Sequence, residues 1–246
     1  MSKIFDALRK AEQERKGRAG IVAGSASRQV TVFSGKKPDV TGIELSALRN
    51  SVELALPNKS SRCLLVTTSL AGEGATSVTH DLCQVLAQDP MLRILGVDGD
   101  FSRSDLTRRF KVEPGPGLTE ILRGEATLET GIVKTPVQNL DFLRGGVNLP
   151  GVSQLISSAQ MKSVLRELSS LYHFVVVDSG PALSSPETIV LGSHTDGVIL
   201  VVRASKTRRE IVQKAVNMLS QSHANVIGVV FNRRKFAIPA FIYKRL

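Results

Sequence analysis

Short apolar runs alternate with stretches of helical period along most of the chain, and this alternation limits the fold more than any other feature. Six runs rich in Val, Ile and Leu are typical of strands buried on both faces. They are Cys63–Thr67, Ile94–Val97, Leu140–Leu143, Phe174–Val177, Val198–Val202 and Val226–Phe231. Helices are predicted between them at 76–87, 161–171 and 208–221. The alternation predicts an α/β fold of three layers, with a mostly parallel central sheet and helices on both faces.

The two ends of the chain fall outside this pattern. Residues 1–15 have an apolar stripe opposite Lys and Arg, which predicts an amphipathic helix. The segment 16–41 is rich in Gly, Ser, Lys and Arg and predicts a flexible linker. A further helix is predicted at 43–56, and the main domain at 42–232. The tail 233–246 combines basic residues with a short apolar stretch.

Composition excludes several classes of protein. No apolar run approaches the roughly 18 residues of a spanning helix, and the charged N-terminus lacks the apolar stretch of a secretory signal. We therefore expect a cytoplasmic protein. Cys63 and Cys83 lie in apolar contexts and are expected to be buried free thiols. Four scattered histidines without ligand spacing predict no structural metal.

The net charge of +10 lies at the two ends of the chain. Residues 1–62 hold 12 basic and 6 acidic residues, residues 63–205 hold 11 and 15, and residues 206–246 hold 9 and 1. Basic ends of this kind favour an anionic membrane surface, a nucleic acid or an acidic partner, or are simply solvated. Only 4% of residues are aromatic and no nucleic-acid-binding motif is present, so nucleic acid is the least favoured partner.

A glycine-rich turn follows the first of the six strands. The strand ends at Thr67, the turn carries Gly72 and Gly74, and a helix begins near Thr76. Glycines let backbone N–H groups surround a phosphate, but the motif also needs a lysine, and that position is Ala75. A bland glycine-rich turn therefore stays open as an alternative. The residues that would line a phosphate or nucleotide are Gly72, Glu73, Gly74, Ala75, Thr76 and Ser77.

Carboxylates follow two of the other strands. Asp98 and Asp100 end one strand, and Asp178 ends another. Carboxyl ends of parallel strands meet at one edge of a sheet, where Mg²⁺ beside a phosphate would be held. Each aspartate alone would more often cap a turn or helix, but the three together with a glycine-rich loop favour a magnesium site.

These motifs, in this order, resemble the bacterial tyrosine kinases of capsular and exopolysaccharide synthesis, which are relatives of the partition and septum-site ATPases. The resemblance covers about 1–15 and 42–232. Besides the loop and the aspartates, it includes the N-terminal SKIFDALRKAE, the segments GLTEILRGEATLE and DGVILVVRASKTRRE, and the run GVVFN that ends at Asn232.

The resemblance implies a P-loop NTPase-like fold that takes ATP or ADP with Mg²⁺. In active members Thr76 would bind the metal, Asp178 would support it, and Asp98, with Asp100 beside it, would activate the attacking tyrosine. Asn232 would lie near the adenine. The family works as a cytoplasmic ring of subunits on a transmembrane polysaccharide co-polymerase, or chain-length-determinant protein, at the inner face of the cytoplasmic membrane.

The chain departs from the family at its chemical centre. Both loop lysines found among the relatives are missing, at Ala75 and Leu70, so binding of ATP and Mg²⁺ is expected to be weakened. An Asn of the next helix is Asp81, and Asp-Thr-Pro-Pro is replaced from Asp178 onward by Asp-Ser-Gly-Pro.

The assembly and tail motifs are also altered. The subunit-contact motif Glu-x-x-Arg-x-x-Arg aligns with Ile43, Ser46 and Arg49, so only its last member remains and a homo-oligomeric ring is in doubt. The tyrosine-rich tail is absent. Tyr172 precedes a strand and is expected to be packed, and Tyr243 is the one tyrosine of the tail.

Three hypotheses follow from these departures. The first and preferred is a regulator or scaffold of polysaccharide export that has lost tyrosine-kinase activity. The second is an active autokinase or ATPase that uses a cation from a neighbouring subunit. The third is a partition- or positioning-type P-loop protein. The basic tail would contact a membrane surface or a partner groove, and its alternative is packing on the core.

Overall fold

The apolar runs of the sequence form the centre of one sheet in the computed structural model, which describes residues 32–34, 42–57, 59–147 and 151–233. Within those residues the sheet has eight strands, in the order β1-β8-β7-β2-β6-β3-β5-β4. All neighbouring pairs are parallel except β4 and β5. The strands are β1 Val32–Ser34, β2 Arg62–Thr68, β3 Ile94–Asp98, β4 Ile132–Lys134, β5 Leu140–Leu143, β6 Phe174–Asp178, β7 Gly197–Arg203 and β8 Val226–Asn232.

Helices cover both faces of this sheet. They are α1 Gly42–Ala55, α2 Ala75–Leu86, α3 Asp105–Phe110, α4 Leu118–Leu122, α5 Leu128–Gly131, α6 Val152–Ile156, α7 Ala159–Leu171, α8 Pro186–His194 and α9 Arg209–Gln221. Successive strand residues point to opposite faces, so each strand contributes to two apolar clusters. One cluster packs against α1, α2 and α3, and the other against α4 to α9. The predicted three-layer α/β fold is confirmed.

All six predicted strands are present, and the ends of the predicted helices lie within two residues of the observed ends. Cys63 and Cys83 are buried free thiols, as predicted. No helix within the described residues is long and apolar enough to cross a membrane.

One prediction is wrong at three residues. Residues 32–34 fall inside the segment predicted as a linker, but they form β1, which pairs in parallel with β8 and extends the sheet. Three residues are too few to produce a recognisable alternation, so the strand is visible only once its partner is in place. Three other predicted segments lie outside the described residues: the helix at 1–15, the rest of the linker, and the tail after Arg233.

The topology sets the position of the candidate site. β2 lies at the centre of the sheet between β7 and β6, and β6 lies next to β3. The glycine-rich turn and all three strand-end aspartates therefore emerge at the carboxyl edge of neighbouring strands, where α/β folds bind their ligands.

Candidate functional site

The turn between β2 and α2 has two glycines in positive-φ conformations directly before a helix. Gly72 and Gly74 have φ angles of +79° and +104°, which other residues rarely adopt. Gly74 directly precedes α2, whose first N–H groups have no partner inside the helix. The predicted loop therefore lies where a helix N-terminus favours an anion.

The loop contributes a buried hydroxyl but no cation. The Oγ of Ser69 is buried and has no hydrogen-bond partner among the described residues. Ala75 is 6% exposed, and its methyl group packs in the apolar cluster of α1, α2 and α3. Leu70 is largely exposed, and Thr76 and Ser77 are half-buried.

Glu73 fastens the loop to the end of β7. Its carboxylate accepts hydrogen bonds from the backbone N–H of Leu70 at 2.8 Å and of Arg203 at 3.4 Å, and from the hydroxyl of Thr207. The residue is buried. The sequence predicts only a backbone role for Glu73. The one signal that something more was required is an acidic side chain in a loop shaped for an anion.

Asn232, the last residue of β8, also contacts the loop. Its Nδ2 donates to the carbonyl oxygen of Glu73 at 2.9 Å, and its Oδ1 accepts from the N–H of Arg233 at 2.8 Å. A Cβ on Gly74 would lie 2.3 Å from that Nδ2. The resemblance places Asn232 near an adenine; in this structure its amide holds the loop.

Asp98 and Asp178 form a register pair on β3 and β6. Oδ2 of Asp98 accepts from the N–H and hydroxyl of Thr107, at 2.9 and 2.6 Å, and Oδ1 of Asp178 accepts from the hydroxyl of Thr79 at 3.2 Å. The other oxygens, Asp98 Oδ1 and Asp178 Oδ2, are buried and have no partner among the described residues.

Burial controls the electrostatics of this pair. Burial raises the pKa of Asp178 well above its ordinary value, and the charges of Asp98 and Asp100 raise it further, while hydrogen bonds from Thr76 and Thr79 lower it. Burial also raises the pKa of Asp98, with the Thr107 hydrogen bonds acting in the opposite direction. No basic side chain is among the groups that shift either pKa. Asp98 and Asp178, at the carboxyl ends of β3 and β6, are called the acidic edge below.

Asp100 has a different environment from that pair. Its Oδ1 accepts from the N–H of Ser102 at 3.2 Å and from the Ser102 hydroxyl at 2.6 Å, and its carbonyl oxygen accepts from the N–H groups of Arg103 and Ser104. The structure thus uses Asp100 to close the turn after β3.

The acidic edge fits a magnesium ion that keeps most of its waters. No three His, Cys, Asp or Glu side chains of the described ranges converge to ligate a metal by themselves. Mg²⁺ commonly takes one or two protein carboxylates and retains several waters. The unpartnered oxygens of Asp98 and Asp178, beside Thr76, are suited to that arrangement. The outer phosphates of a nucleotide fit less well, because Ala75 presents a methyl group.

Comparison with known proteins agrees with this geometry. The family model described as an AAA domain matches residues 61–227. A tyrosine-protein kinase, ptk, of Acinetobacter johnsonii is 28% identical over 206 residues, and the tyrosine-protein kinase YwqD of Bacillus subtilis is 25% identical over 214 residues. The crystal structure of the VpsO kinase domain is 30% identical with a TM-score of 0.71, covering 79% of this chain and 96% of that one.

The chain belongs to the bacterial tyrosine kinase family, within the AAA-domain proteins. The matched region covers 83% of this chain but 28% of the Acinetobacter kinase, and 87% of this chain and 90% of the Bacillus kinase. The septum-site-determining protein MinD of Pyrococcus horikoshii, complexed with Mg-ADP, shares the fold at 23% identity and a TM-score of 0.62, covering 75% of this chain and 76% of that one.

Gly180, which departs from the tyrosine kinase pattern, is packed closely against neighbouring residues. In Asp-Ser-Gly-Pro, the carbonyl oxygen of Gly180 accepts from the hydroxyls of Thr67 at 2.8 Å and Thr188 at 2.9 Å. A Cβ at Gly180 would lie 2.6 Å from the Oγ of Ser185. A larger residue at this position would therefore require the Ser185 side chain to move.

The side chains at two other family positions form ion pairs within the chain. Arg49, which remains from the subunit-contact motif, bonds Glu53 at 3.1 Å and Asp89 at 2.8 Å. Asp81, which stands where the family has Asn, lies 2.8 Å from Nδ1 of His80 and 3.5 Å from Arg109. Ile43 belongs to α1, but its side chain is outside the described residues.

The tyrosines are divided between core and tail. Tyr172 is buried, its hydroxyl donates to Asp141 at 2.8 Å, and the Arg93 guanidinium lies 5.3 Å from its ring centroid. Burial and the Asp141 carboxylate raise the pKa of Tyr172 above its ordinary value. The prediction that Tyr172 is packed is confirmed, and Tyr243 lies outside the described residues.

Proposed function

We propose that this chain is a kinase-like regulator or scaffold of capsular or exopolysaccharide export without tyrosine kinase activity of its own. The observation that supports this most is the buried methyl group of Ala75 at the position of the loop cation. Phosphoryl transfer depends on positioning and on electrostatic stabilisation. Removal of one preorganised donor typically costs roughly 3–4 kcal/mol in the transition state, about 10²–10³ in rate.

Nucleotide binding is proposed to persist in a weakened form. The N–H groups of Gly72, Glu73, Gly74 and Thr76 would bind phosphate, and Asp178 would orient the Thr76 hydroxyl toward a metal. When bound, Mg-nucleotide supplies the phosphoryl group and part of the charge neutralisation. We expect ADP to bind better than ATP, because the missing lysine serves the outer phosphates.

The proposed partner is the transmembrane polysaccharide co-polymerase of such systems. Residues 1–15 and 233–246 are proposed as the segments that contact this partner or the inner surface of the cytoplasmic membrane, since most of the positive charge lies toward these ends. Sedimentation with anionic vesicles, compared with a DNA fragment of equal charge, tests this. Binding to DNA alone would favour the partition-type alternative.

A kinase assay tests the proposed loss of activity. The purified chain, given Mg-ATP and a tyrosine-containing peptide, is expected to show no phosphotyrosine, with the Bacillus subtilis relative as the positive control. Calorimetry on the unaltered chain and on Ala75→Lys is expected to show tighter ATP binding by the variant. Robust phosphorylation by the unaltered chain would overturn the proposal.

An active autokinase is the second candidate, favoured by the unpartnered oxygens of Asp98 and Asp178 and by the naming of the relatives as kinases. It requires a homo-oligomer in which a neighbouring subunit supplies the cation. Activity that rises more steeply than the protein concentration would favour it.

A further inference from the structure

Arg203, the last residue of β7, lies beside the loop that lacks a lysine. It is in register with Asn232 of β8. Register partners on neighbouring strands project from the same face of a sheet. Because the Asn232 amide bonds the carbonyl oxygen of Glu73, the side chain of Arg203 projects from the face on which the loop lies.

Two further observations place Arg203 on the side of Ala75. Ile199 and Val201, four and two residues earlier on β7, point into the same apolar cluster as Ala75, and the alternation of the strand continues to Arg203. The N–H of Arg203 also donates to the Glu73 carboxylate. The backbone of Arg203 is thus fastened to the loop itself.

The charge of the Arg203 side chain is not paired with a carboxylate within the described residues. Its side chain is half-buried and makes no ion pair or hydrogen bond with another described group. The nearby loop contains an independent sign of a missing ligand, since Ser69 Oγ is buried without a partner. A guanidinium stays charged and can donate two parallel hydrogen bonds to a phosphate.

We propose that Arg203 supplies, from the strand beside the loop, the phosphate-binding cation that Ala75 does not, so that the chain holds a diphosphate group. This rests on the proposed function and identifies the residue that would maintain its nucleotide binding. A cation placed on β7 rather than on the helix of the loop binds phosphate from a different position, which is consistent with binding without transfer.

Calorimetry with Mg-ADP and, separately, with pyrophosphate tests the proposal on the full chain. Arg203→Ala is expected to weaken both ligands about tenfold or more, the scale of one charge-assisted contact, and Arg203→Lys to weaken them less. The matched control, Lys206→Ala, removes an exposed charge three residues later, in the turn after β7, and is expected to change either affinity less than about twofold. Thermal unfolding of each variant checks the fold.

A double-mutant cycle sharpens the test. In an Ala75→Lys background, Arg203→Ala is expected to cost clearly less, because two cations then serve the same phosphates. Equal losses in Arg203→Ala and Lys206→Ala, a loss for ADP but not for pyrophosphate, or no binding by the unaltered chain would each overturn the role of Arg203. Phosphotyrosine formed by the same preparations would overturn the proposed function instead.

Discussion

The two halves of the candidate site differ in the polar groups that they offer to a ligand. On the β3 and β6 side, Asp98 and Asp178 retain buried oxygens without partners, as a metal-binding edge requires. On the β2 and β7 side, Ala75 presents a methyl group where the P-loop motif has a lysine, and Glu73 and Asn232 hold the loop to the sheet. The two sides therefore differ in polarity: one has buried carboxylate oxygens without described partners, and the other has a methyl group and a loop held by hydrogen bonds.

The largest effect is expected where the loop is held most tightly. Gly74→Ala places a Cβ 2.3 Å from Asn232 Nδ2 at a φ of +104°, so the free energy of unfolding should fall by about 3 kcal/mol. The control Gly72→Ala also has a positive φ but meets nothing within 4 Å, and should cost about 1 kcal/mol. Urea unfolding measures both, and equal losses would contradict a loop held through Asn232.

The Glu73 contacts are expected to contribute somewhat less. Glu73→Ala leaves the N–H groups of Leu70 and Arg203 and the hydroxyl of Thr207 without their acceptor, and should lower the free energy of unfolding by about 2 kcal/mol. Glu73→Gln keeps one acceptor oxygen and should lose about half as much. If Glu73→Ala were neutral in chemical denaturation, the loop would not depend on β7.

Replacement of Asp178 in the acidic edge should raise the free energy of unfolding, whereas the loop substitutions lower it. Because the pKa of Asp178 is raised, the unfolded state releases its proton first as the pH rises, so the free energy of unfolding falls until the pH passes the native pKa. Asp178→Asn should reduce this fall and add about 1–3 kcal/mol at pH 7.

Asp141→Asn is the matched control for Asp178→Asn. Asp141 is buried but bonded to Lys134 and Tyr172, so its replacement should lower stability. Unfolding curves between about pH 4 and pH 8 compare the two variants, because a buried carboxyl group with a raised pKa gains or loses its proton in roughly this range. Stabilisation by both variants would show that the Asp178 result is unspecific.

The smallest effect is expected at Asp100. Asp100→Ala removes two part-buried hydrogen bonds that Ser102 donates and should cost about 1 kcal/mol. A thermal melt measures it, with Ser102→Ala as the control that removes the hydroxyl contact alone. Loss of nucleotide affinity together with unchanged stability would instead assign Asp100 to the ligand.

The sequence was sufficient for the elements with a long pattern. Strands β2, β3 and β5 to β8, the long helices and the loop all carry a run or a period of their own. Helices α3 to α6 are 4 to 6 residues long, less than two turns, so they give no usable period.

The contacts that define the site could not be predicted from the sequence. Thr207 and Asn232 meet Glu73 from 134 and 159 residues away along the chain, and no local pattern records that proximity. The positions of the three aspartates could be predicted because strand ends share an edge. That two of them keep an unpartnered oxygen while Asp100 closes a turn depends on Thr107, Thr79 and Ser102, which only the folded chain brings into contact.

The turn at Gly180 also restricts the evolutionary routes open to this chain. A return to the family's Asp-Thr-Pro-Pro would put a proline ring where the Oγ of Ser185 already lies 2.6 Å from the position of a Cβ. Ser185 would have to change or move at the same time. The tolerance of this motif for proline therefore depends on whether the side chain of Ser185, a residue outside the motif, can rotate away or is replaced.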